Sequence, residues 1–141
     1  MSAAAEPGMT VRDFMTTHPQ VLSRNETLDL ADDLMTMGRI RHIPILDNGE
    51  LVGIISQRDM FRSAAVAALG FVGDTQKALI KTIRVKEIMT ANVVTIAPEA
   101  SVKEAARIMI EKKIGCLPVV EQHELIGIIT ETDILRYVVE R

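Results

Sequence analysis

Glu50-Leu-Val-Gly-Ile-Ile-Ser-Gln-Arg-Asp59 and Glu124-Leu-Ile-Gly-Ile-Ile-Thr-Glu-Thr-Asp133 are one pattern written twice in a chain of 141 residues. In each, an apolar run of strand length passes through a glycine and ends on a hydroxyl residue. An aspartate follows three positions later, where a helical pattern begins. Working outward, Val11 to Ala64 aligns with Val85 to Val138 at one constant offset and without insertion, so the chain is a tandem duplication. Val11-Arg-Asp-Phe-Met-Thr16 answers Val85-Lys-Glu-Ile-Met-Thr90, and Ile40-Arg-His-Ile-Pro-Ile45 answers Ile114-Gly-Cys-Leu-Pro-Val119. Leu28, Ala31, Leu34 and Met35 answer Val102, Ala105, Ile108 and Met109, both sets at helical spacing.

Within each copy the pattern predicts strand, helix, strand, strand, helix, an α+β unit. Gln20–Leu22 and Val93–Ile96 read as short strands. Ser101 with Glu104 reads as a capping box opening the second copy's first helix; Asn25 or Thr27 serves in the first copy. Ile43–Leu46 and Leu51–Ile55 read as a hairpin whose Asn48-Gly49 suits a type I′ turn, whereas Glu121-Gln-His123 is expected to turn less tightly. Final helices are predicted from about Gln57 to Leu69 and from Glu131 to the C-terminus. Residues 1–8 read as a flexible tail, 9–69 as repeat 1, 70–84 as a linker with a short amphipathic helix over 74–83, and 85–141 as repeat 2.

With 48% hydrophobic and 25% charged residues, the composition is that of a soluble globular protein. The net charge of −3, with no long basic run, lacks the phosphate-neutralising stripe of a duplex binder. Aromatic residues make up only 3%, too few for a base-stacking platform, so no nucleic-acid partner is expected. The apolar stretch from Ala64 to Val72 is about half of the roughly 20 residues needed to span a bilayer, so no membrane association is expected. A single cysteine, Cys116, forms no internal disulfide, and with no signal segment evident a cytoplasmic location is expected.

His18, His42 and His123 lie far apart and without metal-ligand spacing, so no metal site is expected. No nucleotide-binding glycine loop, nucleophile elbow or catalytic triad can be assembled, which argues against an enzyme. What remains is the pair Ser56/Asp59 and Thr130/Asp133, each at a junction from strand to helix. Such junctions present backbone N–H groups and the positive end of the helix dipole, suited to an anion. A carboxylate there can accept two hydrogen bonds from the 2′- and 3′-hydroxyls of a ribose. The same [ST]-x-x-[DE] spacing also describes a plain capping box, and the two roles are compatible.

With the repeat, the Ile-Pro-Ile and Leu-Pro-Val strands and the paired motif in hand, the chain resembles a tandem pair of CBS domains, a Bateman module, over about residues 9–139. The resemblance implies two repeats packed with pseudo-two-fold symmetry, leaving two clefts that bind AMP, ADP, ATP or S-adenosylmethionine, and no catalytic cofactor. It implies a main cleft of Thr16, Arg41, His42, Ile43, Pro44, Thr130 and Asp133, with Arg41 and His42 at phosphate. A second cleft of Ser56, Asp59, Thr90, Gly115, Cys116, Leu117 and Pro118 is implied beside it, with room but little charge. The implied function is a sensor regulating an unknown partner in trans and forming homodimers of CBS pairs. The alternative is an assembly module that dimerises without any response to nucleotide.

Overall fold

In the computed structural model, which describes residues 9–68 and 78–140, the apolar positions partition into two cores, one in each of two compact units. In the unit spanning Gln20–Val93, β2 (Leu22–Ser23) pairs in parallel with β3 (His42–Asp47), which pairs antiparallel with β4 (Glu50–Ser56). Helix α2 (Leu28–Gly38) buries Leu28, Ala31 and Met35, positions that fall on one face at 3.6 residues per turn. Its orphan N-terminal amide at Leu28 donates to the Ile83 carbonyl at 2.9 Å. Ile43, Ile45 and Ile55 are fully buried on the inner face of the sheet, and α3 (Gln57–Ala68) follows β4 directly.

The other unit joins the first 19 residues to Val94–Arg141. After the short helix α1 (Val11–Phe14) comes β1 (Thr16–Thr17), antiparallel to β6 (Glu124–Thr130), which is in turn antiparallel to β5 (Cys116–Glu121). Helix α4 (Val102–Lys112) buries Val102, Ala105 and Met109, the counterparts of the buried face of α2. Helix α5 (Glu131–Glu140) follows β6, and its Tyr137 meets Phe14 edge to face, with ring centroids 5.4 Å apart.

The sequence repeats and the compact units differ by an exchange of leading segments. Val11, at the head of repeat 1, is fully buried in the core built from repeat 2. Val85, its counterpart, sits in a 3-10 turn (Val85–Glu87) and is fully buried in the core built from repeat 1. Burying a valine fully contributes about 1.5–3 kcal/mol, which fixes each segment on its host. Backbone bonds repeat the arrangement: Val11 N–H donates to Ala100 O at 2.8 Å, and Val85 N–H donates to Glu26 O at 2.8 Å.

The glycine of the duplicated motif is explained by this exchange. A Cβ on Gly127 would lie 2.7 Å from Met15 Sδ and 2.9 Å from the Thr16 carbonyl oxygen. One on Gly53 would clash with Met89 Sδ and lie 3.1 Å from the Thr90 carbonyl oxygen. The Met-Thr pair of each leading segment therefore lies directly on the motif strand of its host.

Several local expectations are corrected. The turn at Gln122-His123 is as tight as that at Asn48-Gly49: Glu121 pairs with Glu124, and both turn residues take positive φ, 51° and 68°. Neither is glycine, so the strand register imposes the left-handed backbone. The strand expected over Val93–Ile96 contracts to a bridge from Ile96 to Val119, and the fully buried Pro98 beyond it has no N–H with which to extend the ladder toward the C-terminus. At α4, Ser101 Oγ accepts from Glu104 N at 3.0 Å, but the Glu104 carboxylate pairs with Arg107 instead of closing the box. Thr27, not Asn25, is the N-cap of α2. Of the linker helix expected over 74–83, residues 78–80 are helical, and Ile80 and Ile83 pack on the repeat 1 core. Residues 69–77, 141 and the expected tail over 1–8 lie outside the described residues. Among the described residues no helix is long and apolar enough to cross a membrane.

Candidate ligand-binding site

Each motif strand ends where its helix begins, so the hydroxyl residue and the aspartate share the first turn. At the end of β4, Ser56 N–H donates to Asp59 Oδ2 at 2.8 Å, and Asp59 N–H donates to Ser56 Oγ at 3.0 Å, a reciprocal box. The end of β6 differs. Thr130 donates to Asp133 Oδ2 from both its N–H, at 2.9 Å, and its hydroxyl, at 3.3 Å. Asp133 is only 3% exposed, and its second oxygen accepts from Arg136 Nη2 at 2.8 Å. The same Nη2 donates to the Phe14 carbonyl at 2.8 Å. Buried carboxylates persist only when paired and hydrogen-bonded, and here Thr130 and Arg136 supply both conditions.

The exchanged segments bring the two predicted threonines to these turns. Thr16 pairs with Ile128, two residues before Thr130, and Thr90 bridges Ile54, two residues before Ser56. Alternate residues of a strand share a face, so each threonine stands beside the motif of its own unit. Thr16, Thr130 and Asp133 thus belong to one unit, and Ser56, Asp59 and Thr90 to the other.

The remaining predicted residues lie one strand over. Arg41, His42, Ile43 and Pro44 enter and begin β3 in the Ser56/Asp59 unit, where His42 pairs with Ser56. Ile43 and Pro44 are buried and Arg41 is exposed, its carbonyl accepting from Gln57 N–H at 2.8 Å. Gly115, Cys116, Leu117 and Pro118 occupy the matching positions in the Thr130/Asp133 unit, where Cys116 pairs with Thr130 and Gly115 O accepts from Glu131 N–H at 3.2 Å. Burial, and next the negative charge of Asp133, push the Cys116 thiol far above its ordinary pKa, so it is a neutral packing group. Among the described residues no group of three or more His, Cys, Asp or Glu is placed to hold a metal ion.

The residue that sequence reasoning passed over is Arg136. It stands three positions after Asp133, as Arg62 stands three after Asp59, so an Asp-x-x-Arg signal was present in both copies. Only the second copy turns it into an ion pair among the described residues.

The family model of the CBS domain matches residues 11–65 and 85–140. The chain belongs to the CBS domain family. AcuB of Vibrio cholerae has a solved structure similar to this CBS pair at 40% identity and a TM-score of 0.78, covering 94% of this chain and 91% of that one. CBSX2 of Arabidopsis thaliana, solved in complex with AMP, is 29% identical with a TM-score of 0.76, covering 94% and 98%. The CBS domain pair of MJ0100, solved with 5-methylthioadenosine and S-adenosyl-L-methionine, is 30% identical with a TM-score of 0.75, covering 93% and 96%. The chain spans 82% of the length of YhcV of Bacillus subtilis but only 22% to 46% of several longer curated relatives.

Proposed function

We propose that this CBS pair is a regulatory module that binds an adenosine-containing ligand, AMP, ADP, ATP or S-adenosylmethionine, and acts in trans on a partner protein without catalysing a reaction. The observation that carries this reading is the duplicated strand-to-helix turn: a carboxylate held against a backbone N–H, with a threonine from the exchanged segment two residues away on the same strand face. A carboxylate so placed accepts the two hydroxyls of a ribose, and the helix N-terminus behind it favours an anion. CBSX2 with AMP and MJ0100 with S-adenosyl-L-methionine support the ligand class. On the resemblance and on their charge, Arg41 and His42 are assigned to phosphate, Arg41 through planar charge-assisted bonds and His42 when protonated. A cytoplasmic location belongs to the same reading.

The second reading, homodimerisation without a nucleotide response, draws on Leu135, Val138 and Val139 of α5, which are 65%, 56% and 82% exposed, and on Phe61 of α3 at 73%. Apolar surface of this kind is suited to isologous packing against a second copy. Titration calorimetry of the purified chain against AMP, ADP, ATP and S-adenosylmethionine separates the two. Saturable binding of at least one of these ligands supports the sensor, and a loss in Arg41→Ala confined to the phosphorylated ligands assigns phosphate to that residue. Silence in a sample free of co-purified nucleotide, with a dimer in sedimentation, supports the assembly module.

A further inference from the structure

The two repeats present the same aspartate in different hydrogen-bonding surroundings. Asp133 has both oxygens engaged, Oδ2 by Thr130 and Oδ1 by Arg136, and is nearly inaccessible. Asp59 is only partly buried. Its Oδ2 accepts from Ser56 N–H, and among the described residues no side chain engages its Oδ1. Arg62, at the position matching Arg136, is exposed and forms no ion pair among the described residues. Arg136 is held by a second acceptor, the Phe14 carbonyl at the end of α1. In the other unit the corresponding segment is the 3-10 turn Val85–Glu87.

A ribose diol needs a carboxylate with accessible lone pairs, and it competes poorly with a guanidinium already bonded to the same oxygen, because the charge-assisted bond is the stronger. The geometry points to Arg136 as the residue that makes the two sites unequal: it withholds Asp133 from ribose and leaves Asp59 as the carboxylate that engages it first. This rests on the adenosine-binding reading above. It also reverses, for the ribose end, the ranking that the charges of Arg41 and His42 suggest from sequence. Arg136 is a positioning residue; it acts on the ligand through Asp133. A ligand that does engage Asp133 must first take it from Arg136, which also frees the Phe14 carbonyl and loosens α1.

The test is calorimetry of the full chain with AMP and with 2′-deoxy-AMP, for the wild type and for Asp59→Asn, Arg136→Gln and the double variant Arg136→Gln/Asp133→Asn. Asparagine retains an oxygen for the Ser56 or Thr130 N–H, and circular dichroism verifies the fold. The expected wild type binds one AMP per chain at least tenfold more tightly than the deoxy compound, and Asp59→Asn weakens it at least tenfold. Arg136→Gln adds a second ribose-selective event, which the double variant removes. Arg136→Lys, which keeps the charge but loses the fork, is expected to fall between. Two equal sites in the wild type, full binding by Asp59→Asn, or an unchanged single site in Arg136→Gln overturns the inference while leaving the sensor reading standing. Absence of AMP binding in every protein overturns the inference, and a matching silence toward ADP, ATP and S-adenosylmethionine overturns the sensor reading with it.

Discussion

Gly127→Ala is expected to destabilise the protein more than the equivalent change Gly53→Ala, although both glycines occupy the same place in the repeat. An added methyl on Gly127 meets Met15 Sδ at 2.7 Å, Met15 Cγ at 3.2 Å and the Thr16 carbonyl oxygen at 2.9 Å. The thioether can swing aside, but the carbonyl belongs to a strand paired with the glycine's own, and moving it opens the β1–β6 ladder. On Gly53 the short approach is to the Met89 sulfur, while the backbone oxygen of Thr90 stands off at 3.1 Å and has to yield by only a few tenths of an ångström. Overpacking of this kind costs about 1–3 kcal/mol. Replacing glycine returns about 0.4–1 kcal/mol by restricting the unfolded chain. The net expectation is a loss of ~1–2 kcal/mol for Gly127→Ala and of under ~1 kcal/mol for Gly53→Ala. With a urea slope of about 2 kcal/mol/M, the first shifts the midpoint down by ~0.5–1 M. Introducing Gly127→Ala into a Met15→Ala background should reduce its cost but not abolish it, because the carbonyl contact remains. A Gly127→Ala midpoint equal to wild type, or a larger loss for Gly53→Ala, refutes the argument that the leading segment's backbone sets the requirement for glycine.

Replacing Gln122-His123 by Asn-Gly relieves two non-glycine residues of positive φ and should raise stability by about 1 kcal/mol, read as a higher urea midpoint with unchanged slope. Cys116, its thiol held protonated by burial and then by Asp133, should resist maleimide at neutral pH in the native protein and react promptly after denaturation. The Thr10 hydroxyl, and after it the Thr10 N–H, hold Asp13 below the ordinary carboxylate range. That carboxylate therefore favours the fold above its ordinary pKa, and the contribution is lost as pH falls through the lowered value. Thr10→Val should raise the Asp13 pKa in an NMR titration, and an unchanged titration would show that the hydroxyl bond does not form in solution.

Much of each unit was legible because repetition and periodicity are local properties. The buried faces of α2 and α4 and the hairpin at Asn48-Gly49 follow from residues whose spacing or backbone preference shows on inspection. The turn at Gln122-His123 was not legible, since neither residue favours a left-handed backbone and the register of β5 against β6 imposes it. The exchange of leading segments, implied only through the resemblance that set Thr16 with Thr130 and Thr90 with Ser56, could not be read from the residues themselves for a different reason. Val11 and Val85 match each other in the repeat, and an apolar side chain of that size suits either core, so only tertiary connectivity decides which it enters. The candidate turns were placed by their own motifs, as were the residues of β3 and β5 beside them. Arg136 was visible as a spacing, but its pairing depends on the Phe14 carbonyl, which reaches it only through the exchange.

That exchange has a consequence for biosynthesis and ancestry. The unit of residues 20–93 is continuous in the chain and can close while the rest is still being made. Residues 9–19 must wait for 94–140 to be synthesised, a delay of roughly 6–24 s at ribosomal rates of about 5–20 residues per second, with Val11 and Phe14 lacking their core meanwhile. A solitary repeat would carry both a loose leading segment and an unfilled seat for one, and two such molecules close by trading ends, as in domain swapping. Duplication within one gene turns that trade between molecules into one within a chain, replacing dependence on protein concentration with the high effective concentration of a tether.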